Sequence, residues 1–467
     1  MNFARLAAFL DQLEATSSRN QMVEILADLF REAVPEEVNK VVYLCQGRLG
    51  PPYQRVEFGV GEAAVRSALA SATDTAEAVI RRRYAEVGDY GTIVEQLFSD
   101  RPESDASVDD VYAALDRVAK AEGKGSQSQK RDLVVALLAQ SGPTASKHIL
   151  RILLGRLRIG VGDPTMMEGL SFARTGSKQN RKSLERAYNL CSDLGLVAAT
   201  YVKGGEPALD TIHVQVGRPV RPALCERVSS PEELIEKLGR CAVEPKIDGF
   251  RCQVHKQGQV VRAFSRNLED MSAMFPEIVE AVRRQAGGHD LILEGEAVGY
   301  DPDTLEFHPF QVTVSRKRKH GIEEMREQLP LKLLAFDVLS LDGTDLTPEP
   351  YVERRRTLLD LLGEPIDFTV SGAAGAGSVI QPNEVRELET PEEVDAFFAT
   401  TVERGQEGIV AKRLDSPYQA GARNYNWIKL KRSYRGELKD TVDCVVVGYW
   451  YGKGNRARLG IGTVLTA

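Results

Sequence analysis

The sequence predicts a multidomain protein with an all-α N-terminal domain, an α+β domain after it, and a short β segment at the C-terminal end. The chain has 467 residues, which is more than one compact hydrophobic core usually contains. Apolar residues recur at helical spacing up to about residue 205, and short β-rich runs begin around Pro207 and Pro219. We therefore expect domains at 1–205, 206–435 and 436–467.

The composition excludes several classes of protein. Apolar residues make up 42% of the chain and charged residues 27%, which is ordinary for a globular protein and unlike collagen or a disordered chain. The six cysteines include no CxxC pair, so the sequence predicts neither a zinc site nor a disulfide framework. No apolar stretch is long enough to span a bilayer, and the N-terminal residues lack the apolar core of a signal peptide. We expect a soluble, cytoplasmic protein without a membrane partner.

Helix starts and residue spacing place the elements along the chain. Ser18 and Gln21 are spaced as in a capping box, in which each side chain accepts a backbone hydrogen bond at a helix start. In the first domain, apolar spacing predicts helices at 107–121, 131–140, 146–158 and 181–195. In the second domain, the pattern predicts strands at 251–255, 259–265, 291–299, 331–339 and 408–412, with helices at 273–286 and 350–362. In the third region, the residue pattern predicts two strands, 442–450 and 459–465, joined by a glycine-rich turn.

A basic segment lies within a chain that is acidic on average. The 60 Lys and Arg against 67 Asp and Glu give a net charge of −7, yet residues 147–186 contain nine basic and three acidic residues. On a helix, Lys147, Arg151 and Arg158 fall within about 40° of one another. Such a stripe suits the phosphates of a DNA backbone, and we name these three residues as candidate DNA contacts. The alternative is a solvated helix face, which is the usual role of a charge run.

The most informative motif is Glu-Pro-Lys-Ile-Asp-Gly-Phe-Arg, which runs from Glu244 to Arg251. A Lys-x-Asp-Gly sequence by itself also occurs at ordinary strand-to-turn junctions. Further segments follow it in order: Ser265-Arg266-Asn267, Leu293-Glu294-Gly295-Glu296, Ala335-Phe336-Asp337, Glu407 to Lys412, Arg423, and Trp427 to Lys431. The ordered set, rather than any one segment, indicates a catalytic site.

These residue types suit the transfer of a nucleotide. A neutral amine at Lys246 can attack a phosphoanhydride and hold the nucleotide as a phosphoramidate. Arg251, Arg266, Lys429 and Lys431 supply positive charge, which favours the neutral amine and balances a triphosphate. Lys429 and Lys431 are two residues apart on a predicted strand, so their side chains point to the same face.

Carboxylates in the same set are candidate metal ligands. Glu294 and Glu296 alternate on a predicted strand and therefore share a face. Glu296 and Glu407 offer the oxygen atoms that Mg²⁺ prefers. We therefore predict Mg²⁺ as a cofactor, held by these two residues.

With these motifs the chain resembles the ATP-dependent DNA ligases, especially the archaeal and eukaryotic type that carries an N-terminal helical DNA-binding domain. The resemblance extends over essentially the whole chain and includes Leu157-Arg-Ile-Gly160 in the helical region. These ligases belong to the covalent nucleotidyltransferases, together with RNA ligases and mRNA capping enzymes. The resemblance implies that the enzyme uses ATP to seal nicks in double-stranded DNA during replication, repair and recombination.

The resemblance also implies a role for each motif residue. Lys246 matches the lysine that becomes bound to AMP, Glu244 the residue that recognises adenine, and Phe336 the ring on which adenine stacks. Glu296 matches the carboxylate that binds the ribose. The remaining matches are to ATP-contacting positions: Arg251, Arg266, Arg423 and Lys429. Taken singly, a Phe on a strand more often belongs to the core, and an Arg or Glu more often lies at the surface or in an ion pair.

The chain departs from the family pattern after Lys431. These ligases end in an OB-fold domain, a five-stranded barrel, whereas residues 432–467 suffice for about two strands. The last motif of the family, a basic segment that orients the pyrophosphate of ATP, has no counterpart among them. We therefore expect an incomplete or divergent OB domain. The segment without a counterpart is the one that the family uses in the first step, self-adenylylation from ATP.

The expected function is nick sealing through a lysyl-AMP intermediate, and two alternatives stay open. One is an RNA ligase or capping-type nucleotidyltransferase with the same lysine chemistry. The other is a nick-binding protein without turnover, which the incomplete OB domain suggests. A sliding clamp is a candidate partner because Gln96-Leu-Phe98 is similar to part of a clamp-binding peptide, although such a triplet is usually ordinary helix.

Overall fold

The structure, a computed structural model, describes residues 1–318, 320–375, 377–432, 444–451 and 461–467. The chain forms two compact units. The first unit contains Met1–Leu224, Asp248–Glu384 and Leu414–Arg423, and the second unit contains Cys225–Ile247, Val385–Arg413 and Asn424–Ala467. The α+β part of the chain is therefore divided between two units, and the three domain boundaries stay a prediction.

Helices build the N-terminal part of the first unit, as predicted. They are α1 Phe3–Glu14, α2 Arg19–Glu32, α3 Val38–Cys45, α4 Glu62–Thr73, α5 Glu77–Val87, α6 Tyr90–Leu97, α7 Val108–Lys120, α8 Ser126–Ala139, α9 Pro143–Leu153, α10 Asp163–Thr175, α11 Arg181–Cys191 and α12 Leu194–Gly204. Short 3-10 turns lie at Pro52–Gln54 and Glu206–Thr211. The apolar faces of these helices bury one hydrophobic core that runs from Phe3 to Ile212.

Side-chain caps fix the ends of several of these helices. Ser18 Oγ accepts a hydrogen bond from the Gln21 amide at 3.5 Å, which confirms the predicted start of α2. Gln21 Oε1 accepts a hydrogen bond from Thr16 Oγ1 at 2.7 Å. The Gln21 side chain therefore binds a hydroxyl group and not the backbone amide that the capping box predicts. A complete capping box forms at the start of α7, between Ser107 and Asp110.

Helix α9 is shorter than the sequence predicts. It ends at Leu153, and the residues that follow include left-handed backbone at Gly155, with φ 64°, and at Arg158, with φ 61°. The predicted helix 146–158 is therefore wrong in its C-terminal part. Arg158 consequently does not lie on the helix that carries Lys147 and Arg151.

The remaining elements alternate between strands and helices. The strands are β1 Leu224–Arg227, β2 Cys241–Pro245, β3 Phe250–Gln257, β4 Val260–Ser265, β5 Leu291–Gly299, β6 Leu331–Leu341, β7 Thr344–Asp345, β8 Ile380–Pro382, β9 Arg386–Leu388, β10 Gly408–Arg413, β11 Arg423–Lys431, β12 Val446–Tyr451 and β13 Ile461–Thr466. The helices are α13 Pro231–Leu238, α14 Pro276–Gln285, α15 Phe310–Thr313, α16 Ile322–Gln328, α17 Tyr351–Leu362 and α18 Pro391–Glu403, with a 3-10 turn at Val314–Arg316. The strands predicted between residues 251 and 412 are confirmed.

A six-stranded sheet forms the second part of the first unit. Its order is β4–β3–β5–β6–β7, and β8 pairs in parallel with β6. Apolar residues such as Val254, Leu293 and Leu333 face one side, where α14 and α17 complete a buried core. Because side chains alternate along a strand, the other side of the sheet is left for polar residues.

The second unit has its own sheet, in the order β1–β11–β10–β2–β9. Val243, Ile409 and Ile428 face one side and form a separate core with α13 and α18. The antiparallel registers of β2, β10 and β11 set the polar residues of the opposite side next to one another.

Two antiparallel strands, β12 and β13, lie near the C-terminal end. They confirm the predicted β character of this region, although residues 436–443 and the predicted turn at 452–460 lie outside the described residues. Their apolar side chains are exposed, among them Val446 and Trp450. Among the helices that the structure describes, none is both long and apolar enough to cross a membrane.

Candidate active site

One face of the second unit's sheet is lined with charged residues. Glu244 on β2 lies opposite Val410 on β10, which in turn lies opposite Lys429 on β11. Directly opposed residues share a face, and so do residues two apart on one strand, so Lys412 and Lys431 belong to the same face. The prediction that Lys429 and Lys431 point the same way is confirmed by this register.

Lys246 lies directly after β2, at the edge of this charged face. Its backbone amide donates a hydrogen bond to the Gly408 carbonyl at 2.8 Å, which ties it to the start of β10. The Lys246 side chain is 24% exposed, and its Nζ forms an ion pair with Glu407 Oε2. Lys431 Nζ pairs with the other oxygen, Oε1, of Glu407. The three residues therefore form one cluster of two amines on a single carboxylate.

Gly408 permits this close arrangement. A Cβ atom at this position would collide with the Leu430 carbonyl oxygen and would lie 2.9 Å from Lys431 Cα. Its φ of 151° is also unfavourable for a residue with a side chain. The glycine in the Glu407-Gly-Ile-Val segment is thus required for β10 and β11 to approach each other where Glu407 meets the lysines.

The carboxyl of Glu407 is held in its charged form. Burial by itself raises the pKa of this group, but Lys246 and Lys431 outweigh burial and hold the pKa below its usual value. The ion pair places Lys246 Nζ beside this carboxylate. An amine attacks phosphorus through its lone pair, so the nucleophilic form of Lys246 is the neutral one.

A second ion pair lies deeper on the same face. Lys412 Nζ is 2.8 Å from Glu244 Oε1, and both side chains are almost fully buried. Lys412 Nζ also lies 4.4 Å from the ring centroid of Trp427, at cation–π distance. In the sequence, Lys412 is only the last residue of the segment that begins at Glu407. Lys412 lies two residues after Val410 on the same strand, and Val410 lies opposite Glu244. This spacing is the feature of the sequence that indicates its position beside Glu244.

In the first unit, Arg251 on β3 belongs to a buried network around Glu294. Arg251 Nη2 donates to Glu294 Oε2 at 2.8 Å, and its Nη1 donates to the Ala223 carbonyl at 2.7 Å. Tyr418 Oη donates to the same Glu294 oxygen at 2.7 Å, and Gln253 Nε2 donates to Glu294 Oε1 at 3.1 Å. Glu294 therefore orients Arg251, and Tyr418, which the sequence did not identify, helps to orient both.

Glu296 and Phe336 share the sheet face of Arg251. Glu296 on β5 lies directly opposite Arg251 and also opposite Leu334 on β6, two residues before Phe336. The Arg251 guanidinium carbon lies 5.4 Å from the centroid of the Phe336 ring. The first unit thus brings together an arginine, a carboxylate and an aromatic ring, which suit a phosphate, a ribose and a base.

The other predicted ATP contacts lie at the ends of strands. Arg266 is exposed and follows β4, where it lines a cavity of about 560 Å³ within the first unit. Arg423 is exposed at the start of β11 and also belongs to the first unit. Lys246, Glu244, Glu407 and Lys429 belong to the second unit, so the predicted site residues divide between the two units.

The predicted magnesium ligands have the right donor chemistry, because both Glu296 and Glu407 are carboxylates. Within the described ranges, no group of three or more His, Cys, Asp or Glu residues is arranged to hold a metal ion. Both oxygens of Glu407 already pair with Lys246 and Lys431. A metal ion at Glu407 would therefore share these oxygens with, or replace, the two amines.

The predicted DNA-binding stripe is corrected by the structure. Lys147 and Arg151 are buried and form ion pairs with carboxylates of neighbouring helices: Asp11 and Glu14 on α1, Asp89 before α6, and Glu95 on α6. Arg158 is exposed, but its Nη2 donates to the Gly88 carbonyl at 2.8 Å. The premise of one exposed helical stripe is wrong, because two of the three side chains serve helix packing and the third lies beyond the helix end.

The candidate clamp-binding triplet belongs to the helical core. Gln96 and Leu97 lie at the end of α6, and Phe98 is its C-terminal cap. Phe98 is buried, with the Arg101 guanidinium carbon 3.5 Å from its ring centroid. The Phe98 side chain thus packs in the helical core.

Comparison with known proteins identifies the family to which the chain belongs. The family model described as ATP dependent DNA ligase domain matches residues 222–431, and the model described as DNA ligase N terminus matches residues 2–171. The chain is 50% identical over 467 residues to a "Probable DNA ligase" of Dictyoglomus thermophilum, which covers all of this chain and 78% of that protein. It is 42% identical over 469 residues to a "DNA ligase" of Pyrobaculum arsenaticum, which covers 98% of this chain and 77% of that protein.

A solved structure supports the fold. The chain named Pmar-Lig_Pre aligns with 99% of this chain and 84% of its own, with a TM-score of 0.54 and 16% sequence identity. The family models include the segment from Lys246 to Lys431 that builds the two polar sheet faces, and the relatives match the chain from end to end. The protein is therefore an enzyme of the ATP-dependent DNA ligase family, whose general function is the sealing of nicks in DNA.

Proposed function

We propose that this chain seals nicks in double-stranded DNA by three transfers, of which the first two involve Lys246. In the first step, the neutral Nζ of Lys246 attacks the α-phosphorus of ATP; a P–N bond forms and the P–O bond to pyrophosphate breaks. In the second step, the 5′-phosphate at the nick attacks the same phosphorus, and Lys246 leaves. In the third step, the 3′-hydroxyl attacks the activated 5′-phosphate, the sugar–phosphate bond forms, and AMP leaves.

The observation that carries this proposal is the position of Lys246 in the charged cluster with Glu407 and Lys431. Before the first step, Glu407 holds the Lys246 side chain in a defined place through the ion pair. When the amine loses its proton, Lys431 keeps a partner in Glu407, so the carboxylate stays compensated. Lys431 therefore allows the neutral form of Lys246 without leaving the half-buried Glu407 carboxylate unpaired.

The remaining site residues are proposed to bind the nucleotide. Phe336 offers the ring for stacking on adenine and Glu296 the carboxylate for the ribose, supported by their shared sheet face with Arg251. Glu244 is proposed to recognise adenine, held in place by Lys412. The other proposed ATP contacts are Arg251, Arg266, Arg423 and Lys429. Their positive charge stabilises the charge that develops on phosphorus.

Magnesium is the proposed metal cofactor, with Glu296 and Glu407 as the candidate ligands. When bound, Mg²⁺ neutralises phosphate oxygens and makes phosphorus a better electrophile. We propose that the protein acts as a monomer and that its substrate is nicked duplex DNA. Its proposed location is the cytoplasm, at the nucleoid if the source is a prokaryote. Because Phe98 is buried, contact with a sliding clamp through residues 96–98 is not part of the proposal.

A sealing assay with defined nicks tests the function. The full chain is incubated with Mg²⁺ and a labelled duplex that carries one 5′-phosphorylated nick, with ATP or GTP. We expect ATP-dependent sealing of a DNA nick. Sealing of RNA nicks alone, or label transfer from GTP alone, would identify an RNA ligase or a capping-type enzyme. Tight binding of a pre-adenylylated nick without sealing would identify a nick-binding protein without turnover.

A further inference from the structure

A polar cavity of about 560 Å³ lies in the first unit. One side is formed by the helical region, through Arg48 after α3, Asp163 at the start of α10, and Tyr188 on α11. Another side is formed by Arg266 and Asn267 after β4. The cavity therefore joins the helices to the sheet that carries the nucleotide-binding face.

The acidic residues of this cavity already have partners. Asp163 Oδ1 accepts from Gln46 Nε2 at 2.8 Å, and Asp163 Oδ2 accepts from Tyr188 Oη at 2.5 Å. Glu185 pairs with Arg181 on the next turn of α11, at 3.4 Å. Asp163 Oδ2 also forms an ion pair with Arg221 Nη2 at 3.4 Å, so each of the two carboxylates has an arginine partner. Against these two carboxylates the lining has three arginines, Arg48, Arg221 and Arg266.

The three arginines of the cavity differ in whether their guanidinium groups have partners. Arg221 lies over the Tyr188 ring, with its guanidinium carbon 4.3 Å from the ring centroid, and donates to Tyr188 Oη at 2.5 Å. Arg48 and Arg266 are both exposed, and within the described part of the chain neither guanidinium makes an ion pair or hydrogen bond. Two arginines from distant segments, neither with an ion-pair partner among the described residues, thus line one cavity.

We propose that the helical side of this cavity binds the phosphate backbone of a DNA strand through Arg48, while Arg266 on the sheet side keeps its proposed contact with ATP. The inference rests on the proposed function, since it names where the nick-bearing strand is held. Arginine forms charge-assisted, bidentate hydrogen bonds with phosphate oxygens, and the amide of Asn267 adds a donor. Pockets for discrete small ligands are lined mostly by apolar side chains, whereas this lining is polar and charged, which suits a phosphodiester backbone.

Salt-dependent binding measures this contact. The full-length chain and its Arg48→Ala and Arg48→Lys variants are titrated with a fluorescent nicked duplex at a series of salt concentrations. Arg117→Ala is the matched control, because Arg117 is an exposed arginine of the helical region that does not line the cavity. We expect Arg48→Ala to weaken binding about tenfold at low salt and to reduce the salt slope by about one, with a smaller loss in Arg48→Lys and none in the control.

Three results would overturn the proposal. The first is an unchanged affinity and slope in Arg48→Ala. The second is an equal loss in Arg117→Ala, which would show a diffuse effect of charge. The third is a loss of AMP transfer from ATP with DNA binding intact, which would assign the cavity to the phosphates of the nucleotide. Failure of nick sealing in the wild-type chain is a separate outcome, because binding of the nicked duplex does not require turnover.

Discussion

At the scale of single residues, alternation along a strand was a better guide than a helical projection. Lys429 and Lys431 share a face because side chains on a strand repeat every two residues, whatever packs nearby. Lys147 and Arg151 also share a face, but that face is covered by the carboxylates of α1 and α6. Angular spacing predicts which residues lie together, and it does not predict which element packs against them.

Glu407 provides a residue-scale prediction that depends on pH. Its pKa in the folded chain is lowered, so its ion pairs stabilise the fold above the unfolded-state pKa and are lost as pH falls through the folded pKa. At neutral pH, we expect Glu407→Gln to lower the free energy of unfolding by about 1–2 kcal/mol, because two lysines lose their shared partner. Denaturant titrations of both proteins from neutral to acidic pH measure the difference. A difference that grows toward acidic pH would contradict this role of Glu407.

At the scale of elements, the ion pairs of Arg151 hold α9 against its neighbours. Arg151 Nη1 and Nη2 donate to the two oxygens of Glu14 at 2.7 and 2.9 Å, and Nη2 also reaches Asp89 Oδ2 at 2.6 Å. Burial by itself raises the pKa of both carboxyls, but Arg151 holds each pKa below its usual value. This stabilisation is therefore present at neutral pH and lost as pH falls through the lowered pKa values.

Replacing Arg151 tests this packing role. We expect Arg151→Met to lower the free energy of unfolding by about 3–5 kcal/mol, since the buried carboxylate of Asp89 loses its cation and Glu14 loses one of its two. Arg156→Met is the control; its ion pair with Glu62 is exposed, and we expect a change within about 0.5 kcal/mol. Chemical denaturation at neutral pH compares them. Equal stability of Arg151→Met and the wild type would remove Arg151 from the elements that hold the helices together.

Gly408 offers a second prediction at the scale of elements, for the pairing of β10 with β11. We expect Gly408→Ala to destabilise the second unit by about 2 kcal/mol or more, because the added methyl group meets the Leu430 carbonyl. Gly288→Ala is the control, since a Cβ at Gly288 meets no atom within 4 Å. Thermal unfolding of the two variants makes the comparison. If Gly408→Ala is as stable as the control, β10 and β11 accommodate the added methyl group without a loss of stability, which would contradict the prediction.

At the scale of the whole molecule, the order of element types was predictable and the division into units was not. Apolar periodicity separates helices from strands locally, which is why the all-α region and the strands between 251 and 412 were predicted. The second unit instead forms because β10 pairs with β2, a contact between segments far apart in sequence. Local patterns carry no information on such a pairing, and the contact of Glu407 with Lys246 depends on it.

The separate cores predict separate unfolding events. The helical core, the core of the first unit's sheet and the core of the second unit share none of their buried residues. We expect calorimetry to resolve more than one transition, with Arg151→Met lowering one of them and Gly408→Ala another. A single two-state transition that both substitutions shift equally would contradict this independence.

The central claim is that Lys246 carries the nucleotide, and intact-protein mass spectrometry tests it most directly. The purified chain is incubated with ATP and Mg²⁺, alongside Lys246→Ala and the control Lys203→Ala, which replaces an exposed lysine at the end of α12. We predict that the wild type and Lys203→Ala gain the mass of one AMP and that Lys246→Ala gains none. An AMP adduct on Lys246→Ala, or a wild-type chain that acquires no AMP, would contradict the account.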